Sequence, residues 1–373
     1  MLVCVAALIF DDQDRLFLVR RAPDRALFGG SWDVVGGHVE PGETPAEALR
    51  REVREETGWQ VADVVAELPP WTWQGDDGVT RTEYDHLVTV AGDLTAPVLD
   101  ASEHTGYRWL AGSELDLLDD DPSQIRQLAG TAFAALHQGY AARLAPLLDQ
   151  AFRSAMAAVA GGGGRELVQR FGGGVAGLLI TFRFVLRWPG RTVTVPQADA
   201  VWRYQDRDES WTAVRASGEA GFLEVADGFR LGPKGAEFLT ELYAVIDRVT
   251  TERWAGLDDT VARTIEALGR LLAAAANTGG EAFDAMNPPY EDGAAPGTVL
   301  LHRMGALRYH RADAHAAAWH AAGLTAAQIE AEPEGERRAA IEAETNRLAA
   351  PPFAVLTPAE RATLLDDLAK LAV

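Results

Sequence analysis

The pattern of apolar and polar positions changes character along the chain. In the first part, short β-rich runs alternate with turn signals, and these predict strands near residues 3–10, 16–20, 61–68, 84–91 and 107–110, while residues 32–35 form a short apolar stretch before two glycines. A helix is predicted from about 45 to 57, and residues 121–145 are also predicted to be helical. Strands arranged around one early helix predict an α+β sandwich over about residues 1–140.

Beyond residue 140 the pattern is dominated by alanine-rich helical segments, at 165–187, 196–219, 233–276, 299–322, 325–349 and 357–372. The run from Gly161 to Gly164 predicts a boundary. We therefore expect three parts: a domain at 1–140, a helical and glycine-rich linker at 141–164, and a mostly α-helical domain at 165–373.

Composition narrows the class of protein. Hydrophobic residues make up 47% of the 373 positions, which is ample for packed cores, and the length favours more than one domain. The single cysteine, Cys4, excludes an intramolecular disulfide framework and fits a reducing compartment. No uncharged apolar run approaches the ~20 residues that span a bilayer. We expect a cytoplasmic protein that does not bind membranes.

The charge is acidic and unevenly distributed. The formal net charge is -21; residues 1–140 hold 10 Lys and Arg against 25 Asp and Glu, and residues 141–373 hold 24 against 30. Neither part has the basic excess of a nucleic-acid surface. An acidic first part suits a metal site better than a surface for phosphate backbones.

The candidate chemistry is concentrated in a helix with clear ends. Thr44 and Glu47 form a capping box, Pro45 suits the first helical position, and Gly58 suits a left-handed residue after the last turn. These signals predict a helix of about three and a half turns.

Within this helix Glu52, Glu55 and Glu56 stand at spacing i, i+3, i+4 and share one face. Three carboxylates so close together repel one another unless a cation lies between them, and carboxylate oxygens are preferred by Mg²⁺ or Mn²⁺. The simpler interpretation is a solvated acidic helix with nearby arginines as salt-bridge partners.

The spacing of these residues is similar to the signature of the Nudix hydrolase family. The matching positions are Gly37, Glu43, Arg51, Glu52, Val53, Glu55, Glu56, Gly58 and Trp59. Two departures are mild: Trp59 is bulkier than the usual aliphatic residue, and Val35 stands where proline often precedes the two glycines. The resemblance covers about residues 1–140.

The resemblance implies an α/β/α sandwich with a mixed sheet and a metal-dependent hydrolase of a nucleoside diphosphate linked to another moiety. It implies that Glu52, Glu55 and Glu56 are metal ligands together with the carbonyl of Gly37. Glu52 is also a candidate for activating water. Glu43 and Arg51 would form an ion pair in which Arg51 orients the neighbouring carboxylates.

Further candidates lie outside the signature. Glu103 resembles the additional glutamate that many family members supply from a later loop, with His104 next to it. Arg20 and Arg21 are candidates for binding substrate phosphate. Trp73 is a candidate for stacking on a base, although packing is the alternative for this side chain.

The larger remainder carries two weaker patterns. Around Trp211 to Leu239, a helix, strand, two-residue turn, strand and helix resemble the wing of MarR-like winged helix-turn-helix regulators, and this segment is placed at about 196–245. Residues 165–273 hold 14 Lys and Arg against 15 Asp and Glu, which disfavours DNA binding without excluding it. The stretch 301–319 resembles uncharacterised helical proteins of actinobacteria, and its histidines and arginines predict a buried polar network or a site.

Two functions follow from these patterns. The first is a Nudix pyrophosphohydrolase that acts on a nucleotide-type small molecule with Mg²⁺ or Mn²⁺. The alternative is a transcriptional regulator in which a Nudix domain senses a nucleotide and a winged helix binds DNA. The intact set of carboxylates favours the enzyme. A homodimer is left open.

Overall fold

The computed structural model describes residues 2–188, 190–287 and 294–373. The chain divides into two compact units. The first unit ends at Gly139 and also takes residues 357–359, and the second comprises residues 140–356 and 360–373.

The first unit is built from eight strands and one complete helix. The strands are β1 (Leu2–Ile9), β2 (Leu16–Arg21), β3 (Trp32–Asp33), β4 (Val35–His38), β5 (Gln60–Glu67), β6 (Trp71–Gln74), β7 (Thr80–Ala91) and β8 (His104–Leu110). The complete helix is α1 (Pro45–Thr57), and a longer helix, α2 (Ile125–Val159), begins in this unit.

The strands form two sheets. In the larger sheet the order is β4-β1-β7-β5, with β6 paired to β7; β1 and β7 run parallel and the other pairs are antiparallel. The smaller sheet has the antiparallel order β3-β2-β8. A mixed sheet in the first unit and a mostly helical remainder confirm the predicted α+β class.

Alternation along β1 explains the layers of this unit. Val5, Ala7 and Ile9 share a core with Leu49 and Val53 of α1. The intervening residues of β1, Ala6 and Leu8, belong to a second core that includes residues at the start of α2. Because successive side chains of a strand point to opposite faces, the sheet is covered on both sides. The result is the helix–sheet–helix sandwich that positions α1.

Helix α1 has the predicted ends. The Thr44 side chain accepts a hydrogen bond from the Glu47 amide, and the Glu47 carboxylate accepts from the Thr44 amide at 2.8 Å. Gly58 ends the helix with a left-handed backbone at φ 74°. Both ends are determined by local side-chain chemistry, which is why the sequence predicts them to the residue.

The second unit contains the remainder of α2 and is mostly helical. Its further elements are α3 (Arg165–Arg170), α4 (Gly174–Leu186), β9 (Thr192–Thr194), α5 (Val195–Val201), α6 (Arg207–Glu219), β10 (Leu223–Ala226), β11 (Gly228–Leu231), α7 (Pro233–Arg253), α8 (Asp258–Ala275), α9 (Glu281–Met286), α10 (Pro296–Ala321), α11 (Ala326–Ala331), α12 (Glu336–Ala349) and α13 (Pro358–Leu371).

Several predicted helical segments are interrupted. The segment 165–187 is broken at Gly172 and Gly173, which have φ values of 97° and 70°. The segment 233–276 is broken at Gly256, with φ 81°. Positive φ is accessible to glycine at little cost and ends an α-helix locally. In the predicted linker 141–164, α2 continues to Val159, and a kink follows within Ala160–Gly164, where Gly162 and Gly163 leave the helical backbone conformation.

The segment singled out as winged-helix-like contains a small antiparallel sheet. Its strand order is β10-β11-β9, with α5 and α6 between β9 and β10 and with α7 after β11. This order agrees with the predicted sequence of elements. The MarR-like resemblance of the segment stays a prediction.

In the described part of the chain, no helix combines the length and apolarity needed to cross a lipid bilayer.

Candidate functional site

The carboxylate face of α1 lines a pocket of about 460 Å³ in the first unit. Glu52, Glu55 and Glu56 all contribute to its wall. Glu56 is buried, with 6% of its surface exposed, whereas 53% of the Glu55 side chain is exposed. The three glutamates that share a face in the sequence pattern therefore share one cavity, at different depths.

Arg51 connects this helix to the loop before it. Its guanidinium donates to both carboxylate oxygens of Glu43, at 3.0 and 2.9 Å, and to the carbonyl of His38 at 3.0 Å. The same side chain donates to Glu52 at 2.8 Å and to Glu55 at 3.3 Å. The predicted Glu43–Arg51 pair is therefore present in the structure as part of a network that orients two glutamates of the helix.

The two glycines of β4 pass close to neighbouring groups. The Gly36 amide donates to Glu56 at 3.2 Å. A Cβ atom at Gly37 would stand 2.3 Å from a carboxylate oxygen of Glu52 in its present position. Glycine therefore lets the backbone of Gly37 and the Glu52 carboxylate lie side by side.

Glu103, predicted from a later loop, lines the same pocket. Arg25 donates to its carboxylate at 2.9 Å. Glu56, Glu103 and His104 each offer a ligand atom, and these atoms all lie within 4.8 Å of one another. The fold therefore brings a loop carboxylate and an imidazole to the buried end of the α1 cluster.

Burial and mutual repulsion act on these groups. Burial raises the pKa of Glu56 well above its ordinary value, and the neighbouring carboxylates of Glu52 and Asp33 raise it further. Burial also raises the pKa of Glu52, against the opposing effect of Arg51. The pKa of His104 is lowered by burial, which keeps its ring neutral and able to bind a cation. A cluster of buried oxygen donors and one imidazole fits a divalent cation.

Part of the pocket wall is aromatic. Trp73 and Phe28 both line it, with their ring centroids 6.0 Å apart. The guanidinium of Arg81 lies 5.0 Å from the Trp73 ring centroid, and the Trp73 indole donates to Glu83 at 2.8 Å. Trp73 is therefore held from two sides at the edge of the cavity.

The two candidate phosphate-binding arginines have different positions. Arg21 lines the pocket, but its guanidinium donates to Asp33 at 2.7 Å and to the Leu27 carbonyl at 2.8 Å. Arg20 is absent from the described lining, and its guanidinium lies 5.2 Å from the Trp32 ring centroid. The proposed phosphate-binding role of Arg20 thus receives no support from its position.

Sequence patterns did not single out several residues of this pocket. They are Arg25, Phe28, Asp33, Arg81 and Glu83. Each comes from a loop or strand that carries no recognisable motif. The residues of β3 and β7 are also far apart in the sequence, so the sequence alone does not indicate that they lie in one pocket. A weak signal was available in the alternation of β7, where polar residues occupy positions that a purely structural strand would fill with apolar ones.

Two of these carboxyls have raised pKa values. Burial raises the pKa of Glu83 to about 8, with Asp85 adding to the effect. Burial also raises the pKa of Asp33, which Arg21 opposes. Around neutral pH, Glu83 therefore keeps a proton that it can donate in a hydrogen bond.

The raised pKa of Glu83 predicts a pH-dependent stability. The folded protein holds a proton at this site between the ordinary pKa, 4.5, and about 8, while the unfolded chain has released it. The contribution of Glu83 to stability is thus fully present below 4.5 and is lost as pH rises through about 8. Over that window its effect on the free energy of unfolding falls by up to about 1.4 kcal/mol per pH unit.

We expect Glu83→Gln to remove this dependence. In urea titrations without divalent metal, the variant and the natural protein should have similar stability at about pH 5, and the variant should be the more stable at about pH 9. Asp120→Asn, at an exposed position, is the matched control and should follow the natural protein. A stability difference between the Glu83→Gln and natural proteins that stays constant with pH would contradict the assignment.

Comparisons with known proteins match this part of the chain. A family model described as the NUDIX domain matches residues 2–129. The nucleoside triphosphatase NudI of Salmonella schwarzengrund is 37% identical over 110 residues, which is 27% of this chain and 77% of that protein. The protein of the same name from Salmonella newport is 36% identical over the same length, with the same coverage.

A solved structure is also similar to the chain. The MutT protein from Methanosarcina mazei Go1 shows 26% identity and a TM-score of 0.29, covering 34% of this chain and 88% of that protein. The NUDIX model ends at residue 129, so it gives no support to a MarR-like assignment for the segment 196–245.

Proposed function

Because the chain belongs to the Nudix family through residues 2–129, and is a Nudix hydrolase of the pyrophosphohydrolase kind, we propose that it cleaves nucleoside diphosphates linked to a further group. Nucleoside triphosphates, in which the further group is a phosphate, are the first candidates. The relatives named nucleoside triphosphatase support this choice.

One observation carries the proposal. A single cavity of about 460 Å³ has the carboxylates of α1 on one wall and the rings of Phe28 and Trp73 on another. A nucleotide is complementary to such a cavity. Its phosphates bind divalent cations, which the carboxylates can hold, and its base has a flat face that can stack on an aromatic ring. A purely structural acidic helix would have no reason to share a cavity with two aromatic rings.

The residues present fit a divalent cation, with Mg²⁺ or Mn²⁺ as the proposed ions. Glu52, Glu55, Glu56 and Glu103 would hold it, together with the carbonyl of Gly37. When bound, such an ion neutralises phosphate oxygens and lowers the pKa of a coordinated water. The clustering of carboxylates whose pKa values are raised by burial is the structural support for this assignment.

The chain's own groups then have distinct roles. Glu52, oriented by Arg51 at 2.8 Å, is placed to take the proton of the attacking water. The water oxygen forms a bond to phosphorus, and the anhydride oxygen leaves with the electrons of the broken bond. Arg25 donates a hydrogen bond to Glu103 and would thereby orient the Glu103 carboxylate in the pocket.

The aromatic wall gives a test of how the base is held. We expect Trp73→Ala to raise KM for a nucleoside triphosphate about tenfold, because stacking on one base contributes about 1–3 kcal/mol. The value of kcat should change much less, since Trp73 is not among the residues proposed to hold the cation or to activate water. Steady-state kinetics with Mg²⁺ measures both constants.

Two controls make this test specific. Trp73→Phe keeps a ring but loses the indole donor to Glu83, so KM should rise less than in Trp73→Ala. Inorganic triphosphate has no base, and its hydrolysis should be unaffected by either substitution. An equal loss with inorganic triphosphate would show that Trp73 supports the fold of the pocket rather than the base.

The substrate class is tested by direct assay. The natural protein is incubated with nucleoside triphosphates, nucleotide sugars, ADP-ribose and dinucleoside polyphosphates, each with Mg²⁺ and with Mn²⁺, and the phosphate-containing products are separated. We expect turnover of at least one member and none after removal of divalent ions with a chelator. Metal-independent turnover, or no turnover of any member, would overturn the proposal.

A further inference from the structure

The second unit contains a cavity of its own, with a volume of about 640 Å³. Its walls come from the second half of α2, from α10 and from α12, and every residue that lines it belongs to this unit. The α2 wall is apolar at Leu144 and Leu148, and Leu307 and Phe353 extend this surface. The volume is in the range of sites for small organic molecules, about 300–1,000 Å³.

Two arginines of α10 face this apolar surface. Arg308 donates through Nε and Nη2 to one oxygen of Asp149, at 2.9 and 2.6 Å. Among the described residues its Nη1 donates no hydrogen bond, although the side chain lies at the cavity wall. Arg311 donates to Asn346 at 2.6 Å and to Glu342 at 2.8 Å. The polar side of the cavity therefore has two guanidinium groups and two carboxylates.

A third guanidinium lies behind this wall. Arg183 is 4% exposed, and its guanidinium donates to the Ile180 carbonyl and to the sulfur of Met156 at 3.3 Å. Within the described part of the chain no carboxylate pairs with Arg183, and its Nε has no hydrogen-bond partner. It is close to the cavity, since Arg183 and Arg308 both lie over the Phe152 ring, at 5.9 and 4.5 Å from its centroid.

These charges do not cancel. Arg183, Arg308 and Arg311 lie at or behind the wall and Arg153 also reaches Asp149, at 3.4 Å, so these guanidinium groups outnumber the carboxylates of Asp149 and Glu342. The two histidines of the wall, His310 and His315, do not change this balance at neutral pH, because burial lowers the pKa of both. Arg183 is the buried member of the set, and a buried charge without a counter-charge costs free energy unless an anion lies near it.

We propose that this cavity binds a small organic acid, with its carboxylate at Arg308 and Arg311 and its apolar body against α2. The Nη1 of Arg308, which donates no hydrogen bond among the described residues, can donate to one carboxylate oxygen of such an acid. The apolar surface of Leu144, Leu148 and Phe353 selects a hydrocarbon body over a sugar. Such a site is independent of the hydrolytic pocket in the first unit.

Calorimetric titration of the full chain tests the proposal. The probes are octanoate and 1-naphthylacetate, each compared with its uncharged amide. We expect at least one acid to bind with one site per chain and its amide to bind about tenfold more weakly or worse, because a hydrogen bond to a charged group is lost. Absence of binding by both acids at about millimolar concentration, or equal binding of acid and amide, would overturn the proposal.

Three variants locate the site. Arg308→Gln should weaken the acids about tenfold and leave the amides unchanged, whereas Arg308→Lys, which keeps the charge, should retain a preference for the acids. Ala145→Phe, on a half-buried lining position of α2, should block acids and amides alike. Unchanged acid binding in Ala145→Phe would place the site elsewhere and overturn the assignment.

A matched control separates the cavity from surface charge. Arg270 pairs with Glu360 in the same unit but does not line the cavity, so Arg270→Gln should bind both acids like the natural protein. Unfolding midpoints and nucleotide turnover are measured for every variant, and both should remain unchanged. If Arg308→Gln unfolds, the comparison of Arg308→Lys with Ala145→Phe still decides the proposal.

Discussion

Replacing Glu56 by glutamine is expected to reduce kcat by at least about 10²-fold and, at the same time, to raise the thermal unfolding midpoint of the metal-free protein. Glu56 is buried among carboxylates, and its raised pKa means that the folded state disfavours its charge. Glutamine removes that charge and keeps an acceptor for the Gly36 amide. Activity and stability should therefore change in opposite directions.

The gain in stability on replacing a glutamate by glutamine should decrease as the exposure of its side chain increases. Glu55→Gln should also remove turnover, but with little gain in stability, because 53% of the Glu55 side chain is exposed and its charge is already solvated. Glu47→Gln, in the first turn of the same helix, changes the charge equally and preserves the capping box. It should behave like the natural protein.

Calorimetric unfolding with and without Mg²⁺ measures the stability effect, and product formation measures kcat. Added Mg²⁺ should raise the unfolding midpoint of the natural protein and have a smaller effect on Glu56→Gln, because binding to the folded state alone stabilises it. Full turnover in both Glu55→Gln and Glu56→Gln would refute the assignment of the carboxylate site.

The second large effect concerns two adjacent glycines, Gly36 and Gly37. Substitution by alanine should damage the fold at the first and the catalytic rate at the second. A Cβ at Gly36 would stand 2.2 Å from the Val5 carbonyl oxygen, which belongs to the backbone of β1. The strand cannot move without breaking the β1–β4 pairing, so Gly36→Ala should destabilise the fold by about 1–3 kcal/mol or more. A Cβ at Gly37 would instead meet the end of the Glu52 side chain, 2.3 Å away, and that side chain can rotate.

We therefore expect Gly37→Ala to lose at least about tenfold in kcat with only a small loss of stability, because the displaced Glu52 leaves its hydrogen bond to Arg51. Urea unfolding and steady-state kinetics on both variants separate the two effects. Gly106→Ala, in β8, has nothing within 4 Å of the added Cβ and serves as the control. The same loss of stability in both variants would show that Glu52 is held too rigidly to yield.

Local signals explain why the first unit was predictable. Helix α1 was predicted to its exact ends because Thr44, Glu47 and Gly58 act within one turn of those ends. The shared face of its glutamates depends only on helical geometry, so it also follows from the sequence. The Nudix signature, confirmed by the family comparison, is local for the same reason.

The rest of the pocket depends on contacts between distant segments. Asp33 ends β3 and Glu83 lies in β7, and only the sheet order and burial bring both to the same pocket. Nothing near either residue in the sequence indicates a carboxyl whose pKa is raised. Arg20 was selected for its charge, and its position over the Trp32 ring could not be read from the sequence either.

In the second unit, composition predicted helices but not their interruptions. The alanine-rich pattern continues past Gly256, whose positive φ separates α7 from α8. The histidines and arginines of residues 301–319 were recognised as a polar cluster. Their arrangement around a cavity could not be predicted, because the partner of Arg308 is Asp149, on a helix far earlier in the chain.

Because both ends of α1 are capped, the number of residues in this helix is constrained. Thr44 fixes where its 13 residues begin and Gly58 where they end. One inserted residue before Glu52 would turn the following carboxylates by about 100° away from the cavity, and four would bring them back to within about 40° of their direction but shift them by about 6 Å. Each such insertion changes the direction or the depth of the carboxylates, so this helix works as a molecular ruler whose length is as constrained as its glutamates.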